Sequence, residues 1–312
     1  MLEAATQVIE ATVQIEQPLP EGGRTVGSGF LVSTTAADGS PRTILVTAQH
    51  VLARMPGAEA QIGYRAPTAD GGWRYAPQSL RIRDPQGAPL WREHPTRDVA
   101  AISLRAPERF ARAAIPIGYL APGASPTEVR PGEELMVLGY PRGLAANDAG
   151  FPILRAGRVA SYPLTPAASP TFLLDFSVFP GNSGGPVFHT GPGGEPLIAG
   201  LLTQEVELNN ERLGIGIVTH ARFIRETIDL LVPGPVEAPT APVMIKAEPE
   251  IRGAQPASEG PPARSRLERY LAVARTKMAE LGEAFARPWR LAQERLQAWL
   301  SPAHGAPERG HA

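Results

Sequence analysis

The chain reads as an all-β protein. Three observations predict this: the apolar runs between residues 26 and 218 are short, they are separated by Gly, Pro, Asp and Ser, and their spacing fits a barrel or sandwich of strands better than alternating strands and helices. Taken in order, the predicted strands cover 26–32, 43–48, 80–83, 98–104, 134–140, 153–160, 172–176, 197–203 and 213–218. Pro116, Pro122, Pro126 and Pro131 break the pattern and divide it into two halves near 113–130. Residues 219–231 carry Phe223, Ile224, Thr227, Ile228 and Leu231 at three- and four-residue intervals, and predict a helix that closes the second half.

Residues 1–232 therefore form the folded unit. From 233 to 263 Pro, Ala and Glu dominate and large apolar side chains are few, which predicts a disordered linker. Across 264–301 Leu267, Leu271, Ala274, Met278, Leu281, Phe285 and Trp289 step by threes and fours, an amphipathic helical tail that Pro288 kinks or splits. Residues 302–312 read as a disordered end. The stripe over 264–300 is open to docking or self-association, to binding a partner, or to resting on an anionic membrane surface.

Composition narrows the function. A chain of 312 residues, 43% hydrophobic, can bury a sizeable core. Its net charge of −1 gives no electrostatic reason to bind nucleic acid. With no cysteine, disulfides and thiolate metal sites are excluded. His94, His189 and His220 show no metal-ligand spacing, so neither a metal nor another cofactor is expected. The first ten residues lack the basic and apolar regions of a signal peptide, and the expected location is cytoplasmic.

The chemistry concentrates in 180–186, Pro-Gly-Asn-Ser-Gly-Gly-Pro. A serine between glycines on a tight loop suits a nucleophile, since glycine lets a substrate carbonyl approach the main chain. The N–H groups of Gly181 and Ser183 can converge on one developing oxyanion. The short pattern alone also marks a different hydrolase fold and arises by chance in glycine-rich turns. Upstream, His50 ends an apolar strand and Asp98 opens another, supplying a base and a carboxylate to orient it.

Thr-Ala-Gln-His50, Asp98-Val-Ala and Gly181-Asn-Ser183-Gly-Gly-Pro, in that order, resemble the trypsin-like serine peptidases of the chymotrypsin fold. The Asn182 form of the loop is similar to the bacterial HtrA (Deg) branch, without the PDZ module that often follows it. The resemblance spans residues 5 to 230 and implies two six-stranded β-barrels with the site in the cleft between them. It implies a serine endopeptidase acting on proteins or peptides through an acyl-enzyme, with His50 the general base, Asp98 its orienting partner and Ser183 the nucleophile. Gly181 and Ser183 would be the oxyanion donors. The rival readings are an esterase using the same triad and a catalytically silent, peptidase-like scaffold.

The resemblance also implies a substrate pocket with Ser177 at its floor and Thr203 and Gly216 on its walls. A floor without a carboxylate favours small or medium apolar side chains, although Asp175 lies only two residues away. Asp84, the rival to Asp98, sits in an Arg-Asp-Pro-Gln-Gly turn signal. Zymogen-activated relatives carry an aspartate before the nucleophile, which pairs with a freshly cut amino terminus. Asn182 is neutral, so no such switch is expected.

Overall fold

The computed structural model describes residues 2–231, apart from 21, 37, 122–128, 165–168, 192 and 209–210. The expected linker over 233–263, helical tail over 264–301 and end segment 302–312 lie outside the described residues.

A helix missed in the sequence, α1 (Leu2–Ala11), comes first, burying Ala4, Val8 and Ala11 at helical spacing. Strand β1 (Thr12–Pro18) pairs antiparallel with β2 (Arg24–Thr35), which pairs with β3 (Pro41–Thr47). Directly after β3 comes the one-turn helix α2 (Gln49–Ala53). On the far side of β1 lies β4 (Glu59–Gly63), while β5 (Arg65–Pro67) and β6 (Trp73–Tyr75) make a separate hairpin. The sheet is extended by β7 (Gln78–Arg81) beside β4, and by β8 (Arg92–Glu93) and β9 (Ala100–Leu104) beyond β3. After α3 (Glu108–Ala113), β10 (Ile115–Pro116) pairs parallel with β2.

The first sheet has the order β7-β4-β1-β2-β3-β9-β8, with β10 off this path, and its ends do not meet. It is a half-barrel where a closed six-stranded barrel was expected. No ladder joins its end strands β7 and β8; just beyond them the chain makes only an isolated antiparallel bridge, Arg83 with Pro89, and the bond from Leu90 N–H to Ile82 O (3.0 Å). The second sheet is the closed barrel. It joins β11 (Glu134–Gly139), β12 (Ile153–Val159), β13 (Thr171–Asp175), β16 (Glu211–His220), β15 (Pro196–Leu208) and β14 (Pro186–Thr190) in that cyclic order. Leu135, Val137, Phe172, Leu174, Val187 and Val218 fill its interior.

The helix expected over 219–231 is α4 (Ala221–Asp229), but it does not simply close the second barrel. Phe223, Ile224 and Ile228 join the core of the half-barrel with Val99 and Leu104, while the helix also lies against β15. Arg225 donates to the carbonyls of Ile117 (3.1 Å) and Leu120 (2.9 Å) in the crossover between the sheets. An open sheet leaves an apolar mouth, and α4 covers it.

The main polar anchor is Arg65, 3% exposed. Its guanidinium donates to the carbonyls of Ile9 (3.2 Å), Glu10 (2.8 Å) and Thr12 (2.8 Å) at the end of α1, and to Gly150 O (3.4 Å) and the Tyr140 hydroxyl (3.1 Å) from the barrel side. The rings of Phe110 and Phe151 lie 5.0 and 4.9 Å from it. Burial lowers its pKa, with Tyr140 and Glu10 opposing, and an arginine so placed stays a cation. One side chain thus satisfies the last-turn carbonyls of α1 and ties both sheets to it.

Arg65→Met is expected to lower folding stability by about 3–5 kcal/mol, because it strands several buried carbonyls that now accept from a charged donor. Arg65→Lys should recover only part of this, since lysine has no planar fork. Tyr140→Phe, which removes one of the five partners, should cost about 1 kcal/mol. Urea denaturation midpoints measure all three.

A second prediction concerns His220, 6% exposed, whose Nε2 has no partner and whose ring lies 4.9 Å from Phe172. Burial pushes its pKa down from 6.5 to about 4, a hydrogen bond to the Ser169 backbone opposing. Between those values the unfolded chain takes up a proton that the fold refuses, so stability falls as pH drops from 6.5 to 4. The contribution is at most about 3 kcal/mol. Melting curves across this window should show a shallower acid loss for His220→Phe than for the wild type.

Candidate active site

His50 lies on α2, which follows an extended Ala48 and is held down by the buried side chains of Val51 and Leu52. Its backbone N–H donates to Asp98 Oδ1 (2.9 Å), and its Nδ1 lies 2.7 Å from Asp98 Oδ2. One carboxylate thus grips both the helix turn and the ring. Burial alone would raise the pKa of Asp98. The hydrogen bond and charge of His50, with the backbone N–H groups of His50 and Gln49, outweigh it and hold the group below the usual carboxylate range. An ionised carboxylate only accepts, so Nδ1 carries the proton and Nε2 of the neutral ring keeps its lone pair.

Ser183 sits between β13 and β14, on a loop that folds onto the half-barrel. Gly184 has φ +88°, and a Cβ there would collide with Ser28 O and Thr47 Oγ1 and stand 2.9 Å from Ala48 N. That close approach sets the Ser183 loop beside the start of α2. Ser28 N–H donates to Ser183 O (2.9 Å), and Ser28 Oγ donates to Gly181 O (2.6 Å) while accepting from Tyr140 N–H (3.0 Å). Ser28 was not singled out in the sequence.

The hydroxyl of Ser183 donates to Thr203 O (2.8 Å). Among the described residues no hydrogen bond joins it to His50. The N–H groups of Gly181 and Ser183 have no acceptor among the described residues. Their direction follows from the trans peptide, in which C=O and N–H point opposite ways. Pro180 O receives Arg142 N–H (2.5 Å) and Asn182 O receives Gly185 N–H (3.1 Å), so the N–H groups of Gly181 and Ser183 turn away from those anchors. Arg142 adopts φ +53°, the one non-glycine residue with positive φ among the described residues. Asn182, 1% exposed, accepts Phe179 N–H on its Oδ1 (2.9 Å) and closes the loop on itself.

Of the expected pocket residues, Ser177 is exposed, and its carbonyl holds the Arg155 guanidinium (2.8 Å). Thr203 is buried, its hydroxyl donating to Ile217 O (3.0 Å). Gly216 faces Glu205 across β15 and β16, and a Cβ on it would stand 3.1 Å from both Leu202 and Val178. Asp175 is exposed on β13, opposite Arg158 on β12. The carboxylate that does enter this region is Glu205, which the sequence reading missed. Its Oε1 lies 3.4 Å from Val178 N–H. Asp84 accepts from Gln86 and Ala88 N–H in its turn, His94 pairs with Glu226 (3.0 Å), and His189 pairs with Glu133 (3.3 Å).

Comparison with curated proteins finds no match. Among solved structures, the crystal structure of protease Anisep from Arthrobacter nicotinovorans is similar, with 18% identity, a TM-score of 0.42, and coverage of 70% of this chain and 93% of that one. The model of the trypsin-like peptidase domain matches residues 27–194, a span that holds His50, Asp98 and Ser183. The chain belongs to the trypsin-like peptidase family.

Proposed function

We propose that this peptidase is a serine endopeptidase, of the HtrA-like kind within its family, working through His50, Asp98 and Ser183. The observation that carries the reading is the double grip of Asp98 on His50, which leaves Nε2 as a free base in a chain whose nucleophile loop lies beside α2. A peptide extends β15 beyond Leu202, where that strand pairs with β16 alone. The Ser183 hydroxyl leaves Thr203 O and gives its proton to Nε2 as Oγ attacks the scissile carbonyl carbon. The oxyanion is received by the N–H groups of Gly181 and Ser183. Collapse breaks the C–N bond, the imidazolium protonates the departing amine, and an acyl-enzyme remains. Water, deprotonated by His50, then releases the acid product and Ser183. Asp98 stays ionised throughout.

One observation favours a second reading, a silent peptidase-like scaffold: the Ser183 hydroxyl is held by Thr203 O and makes no hydrogen bond to the imidazole. Catalytic hydrogen bonds often form only with substrate bound, and a hydroxyl changes rotamer at little cost. A fluorophosphonate probe decides. Covalent labelling of the wild type that disappears in Ser183→Ala supports the enzyme, and absence of labelling in both supports the scaffold. In peptide hydrolysis, Ser183→Ala should lose about a million-fold in turnover and Asp98→Asn about ten-thousand-fold, the losses seen when such residues are removed from other serine peptidases.

Asn182 bears on how the loop is set. A neutral amide that accepts Phe179 N–H holds the turn without an amino-terminal partner. Asn182→Asp would place a charge at a site that is 1% exposed. It is expected to cost about 2–4 kcal/mol of stability and to lower probe labelling, where an aspartate that a new amino terminus must neutralise would be tolerated after cleavage. Chemical denaturation and labelling rates, before and after a defined amino-terminal cut, measure it.

A further inference from the structure

We infer that Glu205 makes the pocket for the substrate side chain before the scissile bond anionic, and that it selects lysine and arginine there. The inference rests on the peptidase reading of Ser183. Thr203 O holds the nucleophile's hydroxyl, and the segment from Val178 to Pro180 leads into Gly181, so these two stretches flank the place where the substrate carbonyl must lie. Glu205 bridges them. Its Cα faces Gly216 on β16, and its Oε1 reaches Val178 N–H at 3.4 Å. Register shifts between Leu202 and Gln204 and between Glu205 and Glu207 re-aim the strand at this point.

The carboxylate is poorly satisfied. Its side chain is 8% exposed, and Oε2 has no hydrogen-bond partner. The nearest cation, Arg212, has its Nε 3.6 Å from Oε2 and 3.5 Å from Oε1 of Glu207, and its side chain is 45% exposed. It is shared between two carboxylates and free to swing outward. The other cation near the pocket, Arg155, is committed to Ser177 O and stacked 4.1 Å from the Phe176 ring. A buried carboxylate oxygen without a donor is costly, and an entering lysine or arginine supplies both the donor and the charge. An apolar side chain would bury the carboxylate further without a partner, and an acidic one would repel it. The apolar preference expected from a neutral floor at Ser177 is therefore replaced, because the charge comes from the wall.

The test compares matched fluorogenic peptides differing only in arginine or citrulline before the cleaved bond, a pair of nearly equal shape but different charge. The wild type should favour arginine by about tenfold or more in kcat/KM, and Glu205→Gln should reduce that ratio to near unity. Because the readout is a ratio, loss of stability in the variant cancels. Arg212→Ala, which removes the competing cation, should raise the ratio. A wild-type enzyme that cleaves citrulline or apolar peptides equally well, or a ratio unchanged in Glu205→Gln, overturns the inference while leaving the peptidase reading standing. Failure of the wild type to cleave any peptide or to react with a fluorophosphonate overturns that reading and this inference together.

Discussion

The arrangement of this protein depends on one buried serine, Ser28, that the sequence did not single out. Ser28, on β2 of the half-barrel, uses its N–H and its hydroxyl to join the two sheets and its carbonyl to hold β3 of its own sheet. Its N–H goes to Ser183 O, its Oγ accepts from Tyr140 N–H and donates to Gly181 O, and its carbonyl accepts the Thr47 hydroxyl at 2.7 Å. Ser28 and Thr47 are fully buried, so no water competes for these bonds. Losing any one would leave a desolvated donor or acceptor, and that asymmetry, more than the modest net gain of each bond, makes the junction hard to open. The Ser183 loop is thereby fixed to the strand layer that ends in α2, and its distance from His50 becomes a property of sheet packing.

The junction is needed because the first sheet is open. A closed barrel seals its own core, as the six strands from β11 to β16 do. A half-barrel must borrow a cover, and here α1, α4 and the outer face of the barrel supply it, with Phe188, Ile198 and Leu201 from the barrel packing into the half-barrel's core. The two sheets therefore share one apolar surface. Arg65 does for the amino-terminal helix what Ser28 does for the loop, collecting carbonyls from α1 and polar groups from the barrel around one buried charge. Both junctions pass through Tyr140. Its hydroxyl meets Arg65 and its backbone N–H meets Ser28, so a chain of four hydrogen bonds runs through this one residue from the α1 carbonyls to Gly181 O.

What the sequence revealed, and what it hid, follows from the range of each signal. The motifs around His50, Asp98 and Ser183 stood out because each is short and set by its local turn, and their order carried the fold; the structure joins His50 to Asp98, while the Ser183 hydroxyl goes to Thr203 O. Five of the six strands of the closed barrel were legible as apolar runs; β14, short and directly behind the glycine-rich loop, was not. The half-open first sheet was not, because closure depends on whether a full ladder forms between strands, and a single bridge such as Arg83 with Pro89 leaves no mark in the apolar pattern. The partners of α4 were hidden for a related reason: periodicity shows which face is apolar but not what covers it. Glu205 was hidden most thoroughly. In sequence it is one acid in Thr-Gln-Glu-Val-Glu-Leu, a solvent-exposed strand by its looks. Only the register shifts on β15 and the bare Gly216 opposite turn its carboxylate inward.

Under the peptidase reading, the same junctions explain how an oxyanion site can exist without an ionic switch. Two peptide planes must be held with their N–H groups facing the cleft. The first is held by Arg142 N–H on Pro180 O, the second by Gly185 N–H on Asn182 O, and neither bond involves a titrating group. Arg142 accepts a left-handed backbone to make its bond, a local cost of about 1 kcal/mol that the surrounding turn must offset. That turn begins at Tyr140, which is itself fixed from both sides by Arg65 and Ser28. The strain is thus carried by the sheet junction, not by a charge that cleavage must create. An oxyanion site supported in this way forms when the two sheets dock, and it persists as long as they stay docked. Asn182, at the centre of that loop, is neutral and 1% exposed, so under this reading the loop offers a new amino terminus no charge to pair with.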